Sequence, residues 1–313
     1  MKPGESSSLQ QWIKSALAVE RLDAQSLIVT VFGDSIAPLG GHAWLKSLIA
    51  LVGPFGLNER LVRTSVFRLA AEGWLVSYRE GRRAEYRLTL QGFSRFEEAH
   101  RRIYSTSKPD WDGDWTFVAL SASAAASARA QLKRELQWEG FVMLGTGLLG
   151  HPSAQLDTVG NIIDRLKLRQ QIFVLSGREA APLHGRALKD FASNAWSLED
   201  LARNYTRFVN RFRPLHQALQ GSAAMPAQAA FIARTLLIHW LRRVQLRDPQ
   251  LPEALLPVDW PGHDAYALAA DIYRLLYEGA NEHVRAALET ESGFVPPLTP
   301  YFYQRFGGLL SAP

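Results

Sequence analysis

Apolar residues recur at helical spacing at Leu45, Leu48, Ile49 and Val52, and Gly53-Pro54 ends that run. Asn58 then reads as the N-cap of a second helix, with Leu61, Val62, Val66 and Leu69 as its buried stripe and Gly73 as its stop. The opposite face of this helix carries Glu59, Arg60, Arg63, Thr64, Phe67 and Arg68. A strand-like run follows over Trp74–Tyr78, then a turn over residues 79–82, then an alternating strand over Ala84–Thr89. The order helix, turn, helix, hairpin predicts a winged helix-turn-helix.

The middle of the chain reads β-α-β-β-α-β. Strands are expected at Thr116–Ser121, Phe141–Leu144, Leu148–Gly150 and Gln171–Ser176, with helices at Ser127–Glu139, marked by Leu132, Leu136 and Trp138, and at Ala154–Leu166. That order predicts a ferredoxin-like (Cas2-like) α/β sandwich. Its open sheet edge invites pairing with a second copy, so this segment is assigned to dimerisation. The rest is helical. One pattern contains Leu201, Tyr205, Phe208, Val209 and Phe212, and another runs from Phe231 through Val244. A third spans Tyr266 to Tyr277, after Pro249, Pro252, Pro257 and Pro261 interrupt the helical pattern. The fold class is therefore α+β in three segments: a winged helix at 1–107, a ferredoxin-like domain at 108–180 and a C-terminal helical domain at 181–313.

Composition narrows the chemistry. There is no cysteine, which excludes disulfides, thiolate zinc sites, iron–sulfur clusters and cysteine nucleophiles. No apolar run approaches the roughly 18 residues of a membrane span, and the N-terminal stretch lacks a signal-peptide core, so a cytoplasmic protein is expected. The formal net charge is +5. Residues 1–107 hold 14 Lys and Arg against 10 Asp and Glu, whereas residues 108–313 hold 21 against 20. Seven arginines, at 60, 63, 68, 79, 82, 83 and 87, fall within 28 residues of the helix and hairpin. Charge runs are commonly solvated faces. Here the arginines sit on the outer face of a helix and at a hairpin tip, where a major groove and a phosphate backbone would meet them.

Arg60, Arg63 and Thr64 are the base-reading candidates, Arg82 and Arg83 the phosphate contacts. Asn58, Phe67, Arg68 and Arg79 complete the DNA-facing set. A protein-contact winged helix is the rival reading. Tyr86 is assigned to the hairpin core. Gly145-Thr-Gly-Leu-Leu-Gly150 matches the pattern GxGxxG, but His151-Pro152 follows where the helix of a dinucleotide site should already be running, so a glycine-rich hairpin is expected. The middle segment is similar in topology to a small CRISPR-associated ferredoxin-fold nuclease. Such enzymes carry an aspartate at the end of the first strand, while Asp110, Asp112 and Asp114 precede it here. No catalytic constellation, metal-ligand spacing or cofactor motif stands out, and none is expected. His239 lies in an apolar stripe, where a satisfied core histidine is the commoner outcome.

Three stretches together resemble the PaaX family of transcriptional repressors of phenylacetate degradation operons. They are Leu57–Leu75 with Gly81–Thr89; Arg102-Ile-Tyr104 with Trp111–Trp115 and Glu139-Gly-Phe141; and Arg234–Arg243 with Leu246–Gly262. The resemblance implies a homodimer that binds an inverted-repeat operator in double-stranded DNA and is released by phenylacetyl-coenzyme A. A coenzyme A thioester needs arginines beside aromatic rings. In the last segment Tyr205, Arg234, His239, Arg242, Arg243 and Trp260 are the effector-binding candidates on that reading. Trp240 stands where the family is expected to hold a more polar residue, a departure that bears on the pocket and leaves the fold intact. An acyl-coenzyme A thioesterase or transferase fused to a DNA-binding module is the alternative. It lacks a nucleophile–base pair in the sequence. A pure protein-interaction adaptor is a third class.

Overall fold

The winged-helix elements form where the periodicities place them. The computed structural model describes residues 5–19, 22–105, 111–120, 125–178, 188–220 and 225–309. Helix α1 spans Glu5–Val19 and α2 spans Ala24–Val31, the latter capped by Asp23, whose side chain accepts from the Ser26 N–H at 2.7 Å. A π-helical turn over Phe32–Ile36 follows α2. Strand β1 is His42–Trp44, α3 is Leu45–Val52, α4 is Glu59–Ala71, β2 is Leu75–Glu80, β3 is Arg83–Leu88 and α5 is Leu90–Tyr104. Val62, Val66 and Leu69 of α4 are buried as the stripe requires, whereas Leu61, expected in the same stripe, is only half-buried. The sheet order is β1-β3-β2, so the expected hairpin gains a third strand, too short to show alternation. The hairpin turn is also tighter than the sequence suggests. Glu80 pairs with Arg83, leaving only Gly81 and Arg82 in the loop, and Gly81 takes the positive φ of 58° such a turn demands.

The ferredoxin-like order is confirmed. Strand β4 is Asp114–Leu120, α6 Ala126–Trp138, β5 Val142–Gly145, β6 Leu148–His151, α7 Leu156–Arg165 and β7 Ile172–Arg178, in an antiparallel sheet of order β5-β6-β4-β7. Val118, Leu132, Leu136, Phe141, Leu149, Val159, Ile162, Ile163 and Leu168 form its core. Trp138 does not join them: it is 56% exposed at the end of α6, so the stripe rests on the two leucines. Gly145–Gly150 is the β5–β6 hairpin, with Gly147 at φ 80°, and His151 continues β6. Strand β4 begins earlier than expected. Asp112 and Asp114 both pair with Arg178 of β7, which occupies these carboxylates in holding the sheet edge.

The remaining helices are α8 Leu188–Ala195, α9 Leu198–Gln220, α10 Ala227–Gln245, α11 Pro261–Ser292 and α12 Pro300–Tyr303. Pro261 starts α11, a first-turn position where a missing N–H costs nothing. The three-segment layout and the compact units differ. One unit takes Met1–Thr106, Arg207–Gln245 and His263–Pro313, and the other takes Ser107–Thr206 and Leu246–Gly262. The helices of the last segment are thus shared out by burial. Much of α10 and α11 packs with the winged helix, because α10 is apolar on nearly every side. The borders expected near 107 and 180 fall outside the described residues or beside them.

Candidate nucleic-acid interface and effector residues

Helix α4 is held at its start by Asn58, whose Oδ1 accepts the Leu61 N–H at 2.9 Å. That cap fixes which residues open the helix, and they are the ones that would meet a groove: Glu59, Arg60, Arg63 and Thr64 are all exposed. Arg63 is folded back onto Glu59, with Nη2 donating at 2.5 Å and Nε at 2.8 Å. Both partners are more than half exposed, so this i,i+4 pair is weak and opens at small cost. Thr64 turns its hydroxyl inward and donates to the Arg60 carbonyl at 2.9 Å. Phe67 is 72% exposed and Arg68 lies beside it on the same face. An apolar ring in that position suits a thymine methyl group.

The wing adds a second basic surface. Arg79 is exposed on β2, Arg82 occupies the turn and Arg83 opens β3. The Arg83 guanidinium lies 4.1 Å from the Trp44 ring centroid, and that of Arg87 lies 4.7 Å from the Tyr78 ring. Tyr86, assigned to the hairpin core, is half-buried opposite Ala43 and Ser77. All nine DNA-facing candidates from the sequence therefore lie on α4, its cap or the wing.

The six effector candidates divide. Tyr205 and Trp260 belong to the second unit. There the Tyr205 hydroxyl donates to Asp248 Oδ2 at 2.5 Å, and its ring meets Trp260 edge-on at 5.8 Å. Both are buried. Arg234, His239, Arg242 and Arg243 lie on α10 in the first unit. Arg234 has no exposed side-chain surface and is consumed internally. Its Nη1 donates to Asn281 Oδ1 at 2.6 Å, its Nη2 to Ser35 Oγ at 2.8 Å, and its Nε forms an ion pair with Asp34 Oδ2 at 3.0 Å. It is thus a structural residue; its partner is Asp34, a pairing across 200 residues that no local pattern reports.

That ion pair belongs to a larger buried group which sequence reading missed. Arg305 Nη1 donates to Asp34 Oδ1 at 3.1 Å and to the Tyr273 hydroxyl at 2.6 Å, while Tyr104 and Tyr273 donate to Asp34 Oδ1 at 2.8 and 3.0 Å. Burial alone would raise the Asp34 carboxyl. Arg234 and Arg305, with the two tyrosine hydroxyls, outweigh it and hold the pKa below the ordinary carboxylate value. His239 is likewise structural, with its Nδ1 3.0 Å from Thr30 Oγ1. Burial first, then Arg242 and Arg243, push its pKa down to about 3, so it stays neutral at pH 7. Arg242 is half-buried and donates to Ser26 Oγ at 2.9 Å; burial is the main cause lowering its pKa to about 10, and it remains charged. Arg243 is exposed beside Trp240, whose ring also carries Arg211 at 3.8 Å. Arg242 and Arg243 are thus the two effector candidates with solvent-facing surface.

Among the described residues no three His, Asp or Glu side chains gather as a metal site, and no helix is long and apolar enough to cross a membrane. Comparison with known proteins fits this arrangement. Residues 23–92 match the model described as PaaX-like protein, 108–188 the PaaX protein central Cas2-like domain and 196–286 the PaaX-like protein C-terminal domain. A relative in Escherichia coli (strain K12), the transcriptional repressor PaaX, is 36% identical over 97% of this chain and 96% of its own. An uncharacterized protein of Mycobacterium tuberculosis of known structure is 25% identical, covering 77% of this chain and 89% of its own, with a TM-score of 0.47. With three consecutive family segments in their order and a full-length relative, the chain belongs to the PaaX-like family.

Proposed function

We propose that this protein is a DNA-binding transcriptional repressor of phenylacetate catabolism genes, released from its operator by phenylacetyl-coenzyme A. The observation that carries the DNA reading is the exposed arginine face of α4, set by the Asn58 cap, beside a wing bearing Arg79, Arg82 and Arg83. A helix N-terminus with arginines around it attracts phosphate, and its first turns are the part that reads base edges. The relative's name as a repressor supports regulation over catalysis.

On this reading residues 1–107 bind DNA, 108–180 dimerise and 181–313 answer the effector, inside the cytoplasm. Homodimerisation is supported by β7, an edge strand with Phe173 and Leu175 exposed at 68% and 52% on one face. A dimer would set two α4 helices on an inverted repeat with half-sites about 10 bp or a multiple apart. Arg242 and Arg243 are the residues carried forward for the anionic end of the effector. Release requires the thioester to bind the conformation with low DNA affinity better.

The test is a mobility-shift titration at one fixed salt concentration on the region upstream of a phenylacetate operon. Phenylacetyl-coenzyme A, free phenylacetate and acetyl-coenzyme A are added separately. Release by phenylacetyl-coenzyme A alone is the expected result. Binding without release discards the effector, absence of binding discards the repressor, and turnover of the thioester returns the enzyme.

A further inference from the structure

The outward side of α4 is not uniformly basic. The buried residues Val62, Ser65, Val66 and Leu69 fix which side of the helix faces the core. At 3.6 residues per turn the positions opposite them are Arg60, Thr64, Phe67 and Ala71, and all four are exposed. After the leading arginine this central row is apolar. The Thr64 hydroxyl donates to the Arg60 carbonyl at 2.9 Å. Bonded back to the preceding turn, the hydroxyl is drawn toward the helix backbone, so the group this residue offers outward is its methyl. Phe67 follows with 72% exposure, and Ala71 adds a further methyl group. Arg63 lies on one side of the row and Arg68 on the other.

An apolar centre between two cationic margins has its counterpart in the major groove. There the thymine 5-methyl groups project from the floor, and the phosphates of the two strands form the walls. Contact between carbon surfaces needs no donor or acceptor, and it tells thymine from cytosine by one methyl group. The flanking arginines are what favour this occupant over an apolar patch on another protein: they complement an anion on both sides of the row.

We infer that Thr64 and Phe67 are specificity-determining residues that read thymine 5-methyl groups, so that each operator half-site carries A·T pairs under the middle of α4. This rests on the DNA-binding reading and deepens it, because it names the base feature read and assigns Thr64 to its methyl group instead of its hydroxyl.

The test removes single methyl groups from the DNA. A duplex recovered from a randomised pool by the unmodified protein is resynthesised with deoxyuridine in place of thymidine, one position at a time. Uracil pairs as thymine does and lacks only the 5-methyl group. At the contacted positions the unmodified protein should bind about fourfold more weakly per methyl, the burial value of one such group expressed as affinity. Phe67→Ala should lose about tenfold on the thymine duplex and no longer distinguish uracil at its own position. Thr64→Ser keeps the hydroxyl and deletes the methyl, and should lose about fourfold together with its own uracil response. Phe67→Leu keeps an apolar side chain and should retain that response. Both side chains are exposed, so thermal unfolding should be nearly unchanged in all three variants.

Uracil at every thymine leaving the affinity of the unmodified protein within about twofold overturns the inference. So does a Phe67→Ala protein that remains as sensitive to uracil at every position as the unmodified one. A Thr64→Ser protein that binds like the unmodified one overturns the role given to Thr64. Binding that ignores uracil, together with self-association that Phe67→Ala abolishes, would assign the row to a second copy of the chain. Phe67→Gln takes the place of the alanine variant if circular dichroism shows that the latter does not fold. Failure of the unmodified protein to enrich any duplex would remove the DNA reading itself, a separate result.

Discussion

Arg234 on α10 and Arg63 on α4 are both helical arginines within one compact unit, and their environments could hardly differ more. Arg234 has no solvent-exposed side-chain surface and meets Asp34, Ser35 and Asn281. Arg63 is 57% exposed and touches only its helical neighbour Glu59 among the partners described above. The helices explain the contrast. Ala230 to Leu241 of α10 is buried except for Trp240, so a charge placed there must find its counter-ion inside. On α4 the buried apolar residues are confined to one stripe, so its arginines are left for water or for a polyanion. A cluster of arginines thus means a ligand surface only where the helix that bears it has a polar side.

Changing Arg234 to Met is the severest way to break this contrast. It leaves Asp34 with one of its two cations and removes partners from Ser35 and Asn281, and should cost about 3–5 kcal/mol in denaturant unfolding. A loss below 1 kcal/mol would mean that the buried group contributes little. Arg63→Ala should do the reverse. It should change stability by no more than about 0.5 kcal/mol while costing about 1–3 kcal/mol on cognate DNA if the residue reads a base. An equal small loss on every sequence would make it a phosphate contact.

The third prediction uses pH. His239 has a folded pKa near 3, below its ordinary value of 6.5, so the unfolded chain binds the extra proton. Stability from this group is present above pH 6.5 and is lost as pH falls from 6.5 toward 3, by up to about 1.4 kcal/mol per pH unit. His239→Asn should flatten the unfolding profile in that window by about one proton, at a lower stability near pH 7. An unchanged profile would show that other groups set it. The smallest effect belongs to Asn58→Ala, which removes the α4 cap and should cost about 1 kcal/mol of stability. A further loss in operator affinity would show that the same side chain also meets DNA.

Local signals served where their physics is local. The Asn58 cap, the Val62–Val66–Leu69 stripe, the alternation of β3 and the β-α-β-β-α-β order are set by residues a few positions apart, and each appears in the structure. The third wing strand escaped notice because His42–Trp44 has only three residues. Trp138 was misplaced because helical spacing identifies a face without showing where its cover ends.

The effector set was least legible. Tyr205, Arg234 and His239 look like ligand residues in one dimension. Their partners Asp248, Asp34 and Thr30 lie 43, 200 and 209 positions away and close each of them off. What the amino-acid order determined by itself was the element list, the α+β class, the family resemblance and the outward arginines of helix and wing, all products of short-range periodicity and caps. Only the tertiary structure decided which arginines are consumed, because burial and charge pairing depend on groups that the chain brings together after hundreds of residues. It also put Trp44 beneath Arg83, through a strand pairing that no local pattern announces.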